Sequence, residues 1–253
     1  MGYAEFELNI PEVIREKLPD YFDGLSADPL LLENVVRIPL GVQGAYMLFY
    51  ANDLVYIGKT DAEAGFRSRL TRHFHSIQGR KNLDANLVGF KAVRVLVFSN
   101  FDLETILIDE YSKRTKRPVW NFSGFGSNDP GHKREGQKSA LFDVQYPVDI
   151  DYVVRGMRPG QYDLMQTILA LKQQLPYLFR FEIEENENFR KGHEEMRAKT
   201  VELPDAVLTA RTVLLRILNS LPIGWQVTVL PNRVIMYREQ RDYDQQLEVI
   251  RSK

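Results

Sequence analysis

Short apolar runs and turn residues alternate in the first half of the chain. The runs Gly44–Tyr50 and Leu54–Ile57 are rich in aromatic and branched residues, and the Ala51-Asn52-Asp53 segment between them is typical of a turn. A third run, "FKAVRVLVF" at 90–98, is also rich in branched residues. The pattern therefore predicts three strands in this part of the chain.

Two longer stretches carry apolar residues at helical spacing. In residues 61–78, Asp61 is placed to cap a helix whose apolar face consists of Phe66, Leu70, Phe74 and Ile77. Residues 100–116 predict a second helix, capped by Asn100 or Asp102 and ended before Pro118. With the three strands, the predicted order is β-β-α-β-α, a small sheet with helices on it.

The flanking regions have a different pattern. Residues 11–35 are predicted to be helical, because a proline stands near the start of each of two apolar stretches. After Pro147 two amphipathic helices are predicted at 159–175 and 203–221, followed by a hairpin around Pro231-Asn232. The fold class is therefore α/β (α+β), with three predicted parts: an N-terminal helical segment at 1–35, a sheet domain at 36–147 and an α/β accessory domain at 148–253.

Composition excludes several kinds of site. The chain has 253 residues, of which 44% are hydrophobic and 26% charged, and no apolar run is long enough to span a membrane. The absence of cysteine excludes disulfides, thiolate zinc sites and cysteine nucleophiles. The start of the chain has no signal-peptide pattern, so the cytoplasm is the expected location.

The net charge of −1 hides an uneven distribution. Between Phe66 and Arg94 seven Lys or Arg residues stand against one acid, and between Lys113 and Arg134 six stand against one. A basic face on a nearly neutral protein favours a polyanionic partner, although a solvated surface is the alternative explanation.

Three polar residues of the two predicted helices are candidates for a functional site. Arg69 and His73 are four residues apart and so share one helix face, while Glu104 lies in the first turn of the next helix. Each of these residues taken alone is typical of an ordinary surface position. The basic, glycine-rich stretch "GFGSNDPGHKREG" at 124–136 is too long for a simple turn and is predicted to be a functional loop.

The order and spacing of these residues resemble the GIY-YIG nuclease superfamily. The motif is represented by "GAY" at 44–46, "YIG" at 56–58, "RLTRH" at 69–73, "LETILI" at 103–108 and "PVWN" at 118–121, with Ala45 in place of the usual isoleucine. The segments "GFGSNDPG" and "FDVQYP" further resemble the restriction-enzyme branch that cuts CCGCGG. Together the resemblance spans about residues 36 to 147.

The resemblance implies a site-specific endonuclease that hydrolyses DNA phosphodiesters with Mg²⁺ or another divalent metal such as Mn²⁺. Glu104 would bind the metal, which polarises phosphate, and Arg69 would bind the scissile phosphate. Tyr46 would act as general base with His73 sharing the proton transfer. Tyr56 would position phosphate or water, Lys59 would add charge and Asn121 would brace the site.

Cutting a palindrome requires two symmetric active sites, so a homodimer acting on double-stranded DNA is expected, with a companion DNA methyltransferase as a further partner. The predicted base-reading residues are rich in amide and basic groups and consist of Arg80, Lys81, Asn128, His132, Lys133, Arg134 and Gln137. The predicted phosphate contacts are Arg114, Lys116 and Arg117.

Two other functions remain open at this stage. One is a repair or recombination nuclease that recognises DNA structure rather than sequence, and the other is a DNA-binding module without catalysis. The accessory domain at 148–253 would serve dimerisation or DNA specificity in the restriction-enzyme interpretation.

Overall fold

The computed structural model describes residues 2–5, 9–60, 64–96, 102–126, 135–184 and 188–252. The chain forms two compact units. The first consists of Met1–Phe74 and Asp84–Gly126, and the second of His75–Leu83 and Ser127–Lys253. The predicted division after residues 35 and 147 stays a prediction.

The first unit contains a four-stranded antiparallel sheet. Its strands are β1 (Asp28–Pro29), β2 (Gly44–Tyr50), β3 (Asp53–Lys59) and β4 (Val88–Arg94), and their order in the sheet is β1-β4-β2-β3. Ala51 and Asn52 join β2 to β3, and both have positive φ angles, of 49° and 72°. Two such residues are the signature of the tight turn whose twist matches that of a hairpin. The predicted turn is therefore confirmed.

Four helices belong to the elements around this sheet: α1 (Ile10–Asp23), α2 (Leu32–Val35), α3 (Gly65–Ile77) and α4 (Leu103–Arg114). Asp102 caps α4, since its carboxylate accepts a hydrogen bond from the Thr105 N–H. The alternative cap Asn100 and the predicted α3 cap Asp61 lie outside the described residues. The order β2-β3-α3-β4-α4 confirms the predicted fold class, and a shared core of Phe22, Met47, Ile57 and Leu107 joins α1, the sheet and α4.

The prediction of helix at 11–35 is confirmed for α1 and for the short α2, but it was wrong for the segment between them. Asp28 and Pro29 pair with Phe90 and Gly89 at the edge of β4, and the Leu30 N–H donates to Val88 O at 2.8 Å. The edge of β4 offers backbone partners that a local helix pattern does not reveal. The third strand is also shorter than predicted, because β4 ends at Arg94.

The second unit contains α5 (Leu141–Gln145), β5 (Gly160–Asp163), α6 (Leu164–Gln174), β6 (Leu178–Phe181), β7 (Thr200–Leu203), α7 (Ala210–Asn219), β8 (Trp225–Leu230), β9 (Arg233–Arg238) and β10 (Glu248–Arg251). Its strands form one sheet of order β10-β8-β9-β6 and a two-stranded sheet, β5-β7. The hairpin around Pro231-Asn232 is confirmed as β8-β9. The predicted helix at 159–175 instead begins at Leu164, because Gly160–Asp163 pairs with β7 and Asp163 caps α6. No helix within the described ranges has the length and apolar character that a membrane span requires.

Tyr111 connects α4 to the end of α1 and provides a test of this packing. Its hydroxyl donates to the Asp23 carboxylate at 2.6 Å, and the side chain is buried. Tyr111→Phe should lower the free energy of unfolding by about 1 to 2 kcal/mol, because it removes a charge-assisted hydrogen bond without opening a cavity. Urea unfolding measures this loss. Tyr21→Phe, at a position 62% exposed on the same helix as Asp23, should change stability little, and an equal effect at both positions would contradict the assignment.

Candidate active site

Tyr46 and Tyr56 lie on neighbouring strands and point to the same face of the sheet. Tyr46 is paired with Gly58, and Tyr56 lies two residues before that glycine, so the strand period of two puts all three on one face. The two rings have centroids 6.0 Å apart. A Cβ atom at Gly58 would lie 2.5 Å from both Cζ and Oη of Tyr46, so the Tyr46 ring occupies the space that a side chain at Gly58 would need.

Helix α3 brings His73 to this pair of phenols. His73 Nε2 lies 2.8 Å from Tyr46 Oη in a buried hydrogen bond, and the imidazole is 1% exposed. Its ring centroid is 5.1 Å from that of Tyr56. Phe125, from the glycine-rich loop, stacks on the imidazole with centroids 4.8 Å apart and an interplanar angle of 14°, and its ring also contacts that of Tyr56, with centroids 5.4 Å apart. The imidazole therefore belongs to one aromatic cluster with the tyrosines and Phe125.

Burial dominates the protonation states of the pair. It raises the pKa of Tyr46 far above its usual value, the interaction with Tyr56 raises it further, and Arg69 lowers it less. Burial also lowers the pKa of His73 to about 3, assisted by Arg72 and then Arg69. At neutral pH both groups are therefore uncharged, with the phenol protonated. Among the described residues, His73 Nδ1 has no hydrogen-bond partner although it is buried.

Arg69 and Glu104 supply opposite charges near the two phenols. Arg69 lowers the pKa of Tyr46 and of Tyr56, whereas Glu104 raises both. Burial raises the pKa of Glu104 itself, Asp102 adds to this increase, and the charge and backbone N–H of Lys59 oppose it. Arg69 Nε is buried and makes no hydrogen bond within the part of the chain that is described. The structure therefore brings Tyr46, Tyr56, Arg69, His73 and Glu104 into one electrostatic environment.

Asn121 lies at the outer edge of β3 and contacts its backbone. The Asn121 amide donates from Nδ2 to Ile57 O and accepts at Oδ1 from the Ile57 N–H, both at 2.8 Å. The neighbouring Trp120 N–H donates to Val55 O at 2.8 Å. Because β3 has β2 on one side, these contacts satisfy backbone groups that would otherwise be unpaired at the edge. Asn121 thus holds the strand that carries Tyr56.

Several predicted DNA contacts have intramolecular partners. Arg80 is 10% exposed at its side chain and donates to Asp143 Oδ1, Tyr146 O and Ser76 O. Arg114 bonds to Asp20 and Glu110. The predicted base contact of Arg80 and the predicted phosphate contact of Arg114 stay predictions. Lys59 pairs with Asp102 at 2.9 Å, although this ion pair is half exposed and can exchange for another anion.

The other predicted DNA contacts divide into two sets. Lys81, Lys116, Arg117 and Gln137 are exposed, with Lys81 Nζ at 3.9 Å from Asp149. Asn128, His132, Lys133 and Arg134 lie outside the described residues. Their role as DNA contacts stays a prediction.

Sequence reasoning missed two residues that shape the site. Phe125 covers the imidazole, and Arg72 lowers the pKa of His73 more than Arg69 does. Arg72 directly precedes His73 inside "RLTRH" and could have been noted there. The position of Phe125 could not be predicted, because the sequence of a glycine-rich loop does not show which ring its aromatic residue contacts.

The donor atoms of the site fit a divalent ion held by one carboxylate. No group of three His, Asp or Glu side chains suited to a metal occurs among the described residues. Glu104 is a partly buried carboxylate near phenols and a guanidinium, which suits Mg²⁺ or Mn²⁺ if water and substrate phosphate complete the coordination. An ion caged by protein ligands does not fit this part of the chain.

The contact between Gly58 and Tyr46 can be tested by adding one carbon atom. Gly58→Ala should lower the free energy of unfolding by about 1 to 3 kcal/mol, because the methyl group would overlap the buried Tyr46 ring. Gly24→Ala is the matched control, since its Cβ would make contacts of 3.6 Å or more. Urea unfolding compares the two variants, and equal stability of Gly58→Ala and wild type would show that the ring does not occupy this space.

A comparison with known protein families finds a match for part of the chain. Residues 58–150 match the family model of the Eco29kI GIY-YIG domain. The match includes Gly58, Arg69, His73, Glu104 and Asn121, and begins after the two tyrosines. No curated protein matches the chain. Residues 58–150 are therefore similar to a GIY-YIG restriction-endonuclease domain, and this similarity supports a nuclease that acts on DNA.

Proposed function

We propose that the protein is a Type II restriction endonuclease that uses Mg²⁺ to cut double-stranded DNA at a specific, GC-rich palindromic site. The observation that carries this proposal is the buried Tyr46–His73 hydrogen bond, with Arg69 and Glu104 both acting on the Tyr46 phenol. A structural pair of this kind would not need an adjacent carboxylate and a guanidinium with an unpartnered Nε. The match of 58–150 to a restriction-endonuclease domain supports the same reaction class.

In this proposal, Tyr46 and His73 act together on the attacking water. A protonated phenol can take a proton from water only if it releases its own, and the neutral imidazole is 2.8 Å away to accept it. The water proton then goes to Tyr46 Oη as the phenol proton goes to His73 Nε2, which requires the tautomer with hydrogen on Nδ1. Arg69 and Arg72 disfavour the resulting imidazolium, and the negative phosphate of bound DNA offsets their effect.

Arg69 and Tyr56 position the phosphate in this scheme. The guanidinium has a fixed charge and a planar set of donors that matches two phosphate oxygens. Its buried Nε, unpartnered among the described residues, is a donor that a phosphate oxygen would satisfy. The Tyr56 hydroxyl orients the phosphate or the water beside the Tyr46–His73 pair.

Glu104 holds the divalent ion in this proposal. When bound, the ion polarises the phosphate and stabilises the leaving 3′ oxygen. A carboxylate whose pKa is raised by burial gains stability as an anion when a cation lies against it. Asn121 contributes indirectly, because it fixes the strand that carries Tyr56.

Site specificity and assembly follow from the palindromic target. Two symmetric cuts require a homodimer, with a companion methyltransferase protecting host DNA. Lys81 and Gln137, together with the loop residues Asn128, His132, Lys133 and Arg134, are the proposed base-reading set. Residues 148–253 would serve dimerisation or specificity.

Replacing the Glu104 carboxylate tests the proposed reaction. Glu104→Gln keeps the shape of the side chain and removes its charge, so cleavage of a GC-rich plasmid with Mg²⁺ should fall by roughly a hundredfold or more, while duplex binding persists. Asp109→Asn, on the exposed side of the same helix, is the control and should cut like wild type.

The pattern of products separates the proposal from its rivals. Discrete fragments with a common end sequence indicate a restriction endonuclease. Nicking without a common sequence indicates a structure-selective nuclease. Binding without cleavage by the wild type indicates a DNA-binding module and would overturn the catalytic proposal.

A double-mutant cycle tests whether Tyr46 and His73 act as a unit. Tyr46→Phe and His73→Ala should each lower the single-turnover rate by about 10² to 10⁴, and the double variant should lose little more than either single one. Tyr50→Phe, on the same strand, should leave the rate unchanged. If the two losses multiply, the residues do not share one proton path.

A further inference from the structure

Phe122 is an exposed aromatic residue within a buried run. Its side chain is 72% exposed, whereas Trp120, Asn121, Ser123 and Phe125 around it are all buried. Its φ angle is +64°, a conformation that side chains with a Cβ atom adopt at a cost in free energy. An apolar ring is therefore held in solvent by a strained backbone.

The neighbouring residues maintain this conformation. Asn121 makes two hydrogen bonds to the Ile57 backbone, and Trp120 bonds to Val55. On the other side, Ser123 Oγ donates to Trp120 O at 2.6 Å. Because hydrogen bonds hold the chain on both sides, Phe122 cannot turn inward without breaking them. A strained backbone conformation that its surroundings enforce is typical of functional sites.

A cationic surface surrounds the exposed ring. Arg117 Cζ lies 4.1 Å from the Phe122 ring centroid, so its guanidinium stacks on one face of the ring. Lys116 and Arg117 are exposed, and neither forms an ion pair with another residue in the described part of the chain. Val119 is exposed beside them. An apolar tip on a positively charged base complements a nucleic acid, whose bases are apolar on their faces and whose backbone is anionic.

We propose that Phe122 is a wedge that inserts at a base step of double-stranded DNA while Arg117 contacts the flanking phosphate. This inference rests on the proposed function, because it takes the DNA substrate as the occupant of the surface. Phe122 directly follows Asn121, which is bonded to the strand that carries Tyr56. The wedge and the phosphate-positioning phenol thus share one rigid frame, so unstacking a base step by Phe122 would set the position of the neighbouring phosphate.

Two substitutions separate the wedge from the phosphate contact. Phe122→Asn removes the ring and places there a residue that tolerates positive φ, so the midpoint of thermal unfolding should not fall. Binding of a fluorescein-labelled 30-base-pair duplex in EDTA should weaken roughly tenfold at every salt concentration, because the lost contact is apolar. Arg117→Gln should instead reduce the slope of log K against log salt by about 1. Tyr21→Ala, at another exposed aromatic residue that lies on α1, should leave binding unchanged.

A fluorescent base reports insertion directly. Duplexes with 2-aminopurine at successive positions around the cleavage point should become brighter on binding wild type at one step, and not on binding Phe122→Asn. Equal affinity of Phe122→Asn and wild type with no bright position would overturn the wedge. A shift of Phe122→Asn to smaller assemblies in sedimentation, with DNA binding unchanged, would also overturn it and assign the ring to a protomer contact.

Failure of the wedge and failure of the proposed function give different results. If the wild type cuts DNA and Phe122→Asn binds and cuts equally, the wedge alone fails. If the wild type brightens a 2-aminopurine step but cuts no DNA, the wedge stands and the catalytic proposal fails. If the wild type binds no duplex at all, both fail.

Discussion

The free edge of β3 is the constraint on which the site depends. An edge strand leaves alternate backbone groups unpaired, and here the segment after α4 bonds to them. The Asn121 side chain forms hydrogen bonds with both the N–H and the C=O of Ile57, as a neighbouring strand would. The Trp120 N–H donates a further hydrogen bond to the backbone of Val55. Phe125, four residues after Asn121, stacks on His73. A requirement of sheet stability thus determines where the polar residues of the site lie.

Burial then defines the chemistry that those residues can perform. The low dielectric that protects the Tyr46–His73 hydrogen bond also keeps both groups neutral, because it raises the pKa of the phenol and lowers that of the imidazole. Burial therefore disfavours a tyrosinate base in the free protein and favours proton transfer between two neutral partners. Arg69 and Glu104 both act on the pKa of the Tyr46 phenol without taking part in its hydrogen bond to His73. Binding of an anionic phosphate and a cation beside these two charges would therefore change that pKa.

The elements of the sheet could be predicted because their signals are local. Gly44–Tyr50 and its turn follow from alternation and turn residues, and Arg69 and His73 share a helix face because they are four apart. The partners of Asn121 and Arg80 could not be predicted in this way. Asn121 bonds to a strand 64 residues earlier, and Arg80 to a carboxylate 63 residues later. Local patterns assign a residue to a face of its own element and do not show what packs against that face.

Clusters of basic residues in the sequence likewise do not show which of them have acidic partners in the fold. A cluster of Lys and Arg in sequence suggested a DNA surface, yet Arg80 and Arg114 neutralise acids of their own unit and hold it together. What distinguishes Lys116 and Arg117 is that they lack such acidic partners among the described residues and adjoin an exposed, strained Phe122. Counterions are released from DNA when protein cations neutralise its phosphates, and a cation that is already paired with an acid of its own unit must give up that partner first. The DNA-facing surface should therefore be sought where unpaired cations adjoin apolar groups held in solvent, rather than where basic residues are most frequent.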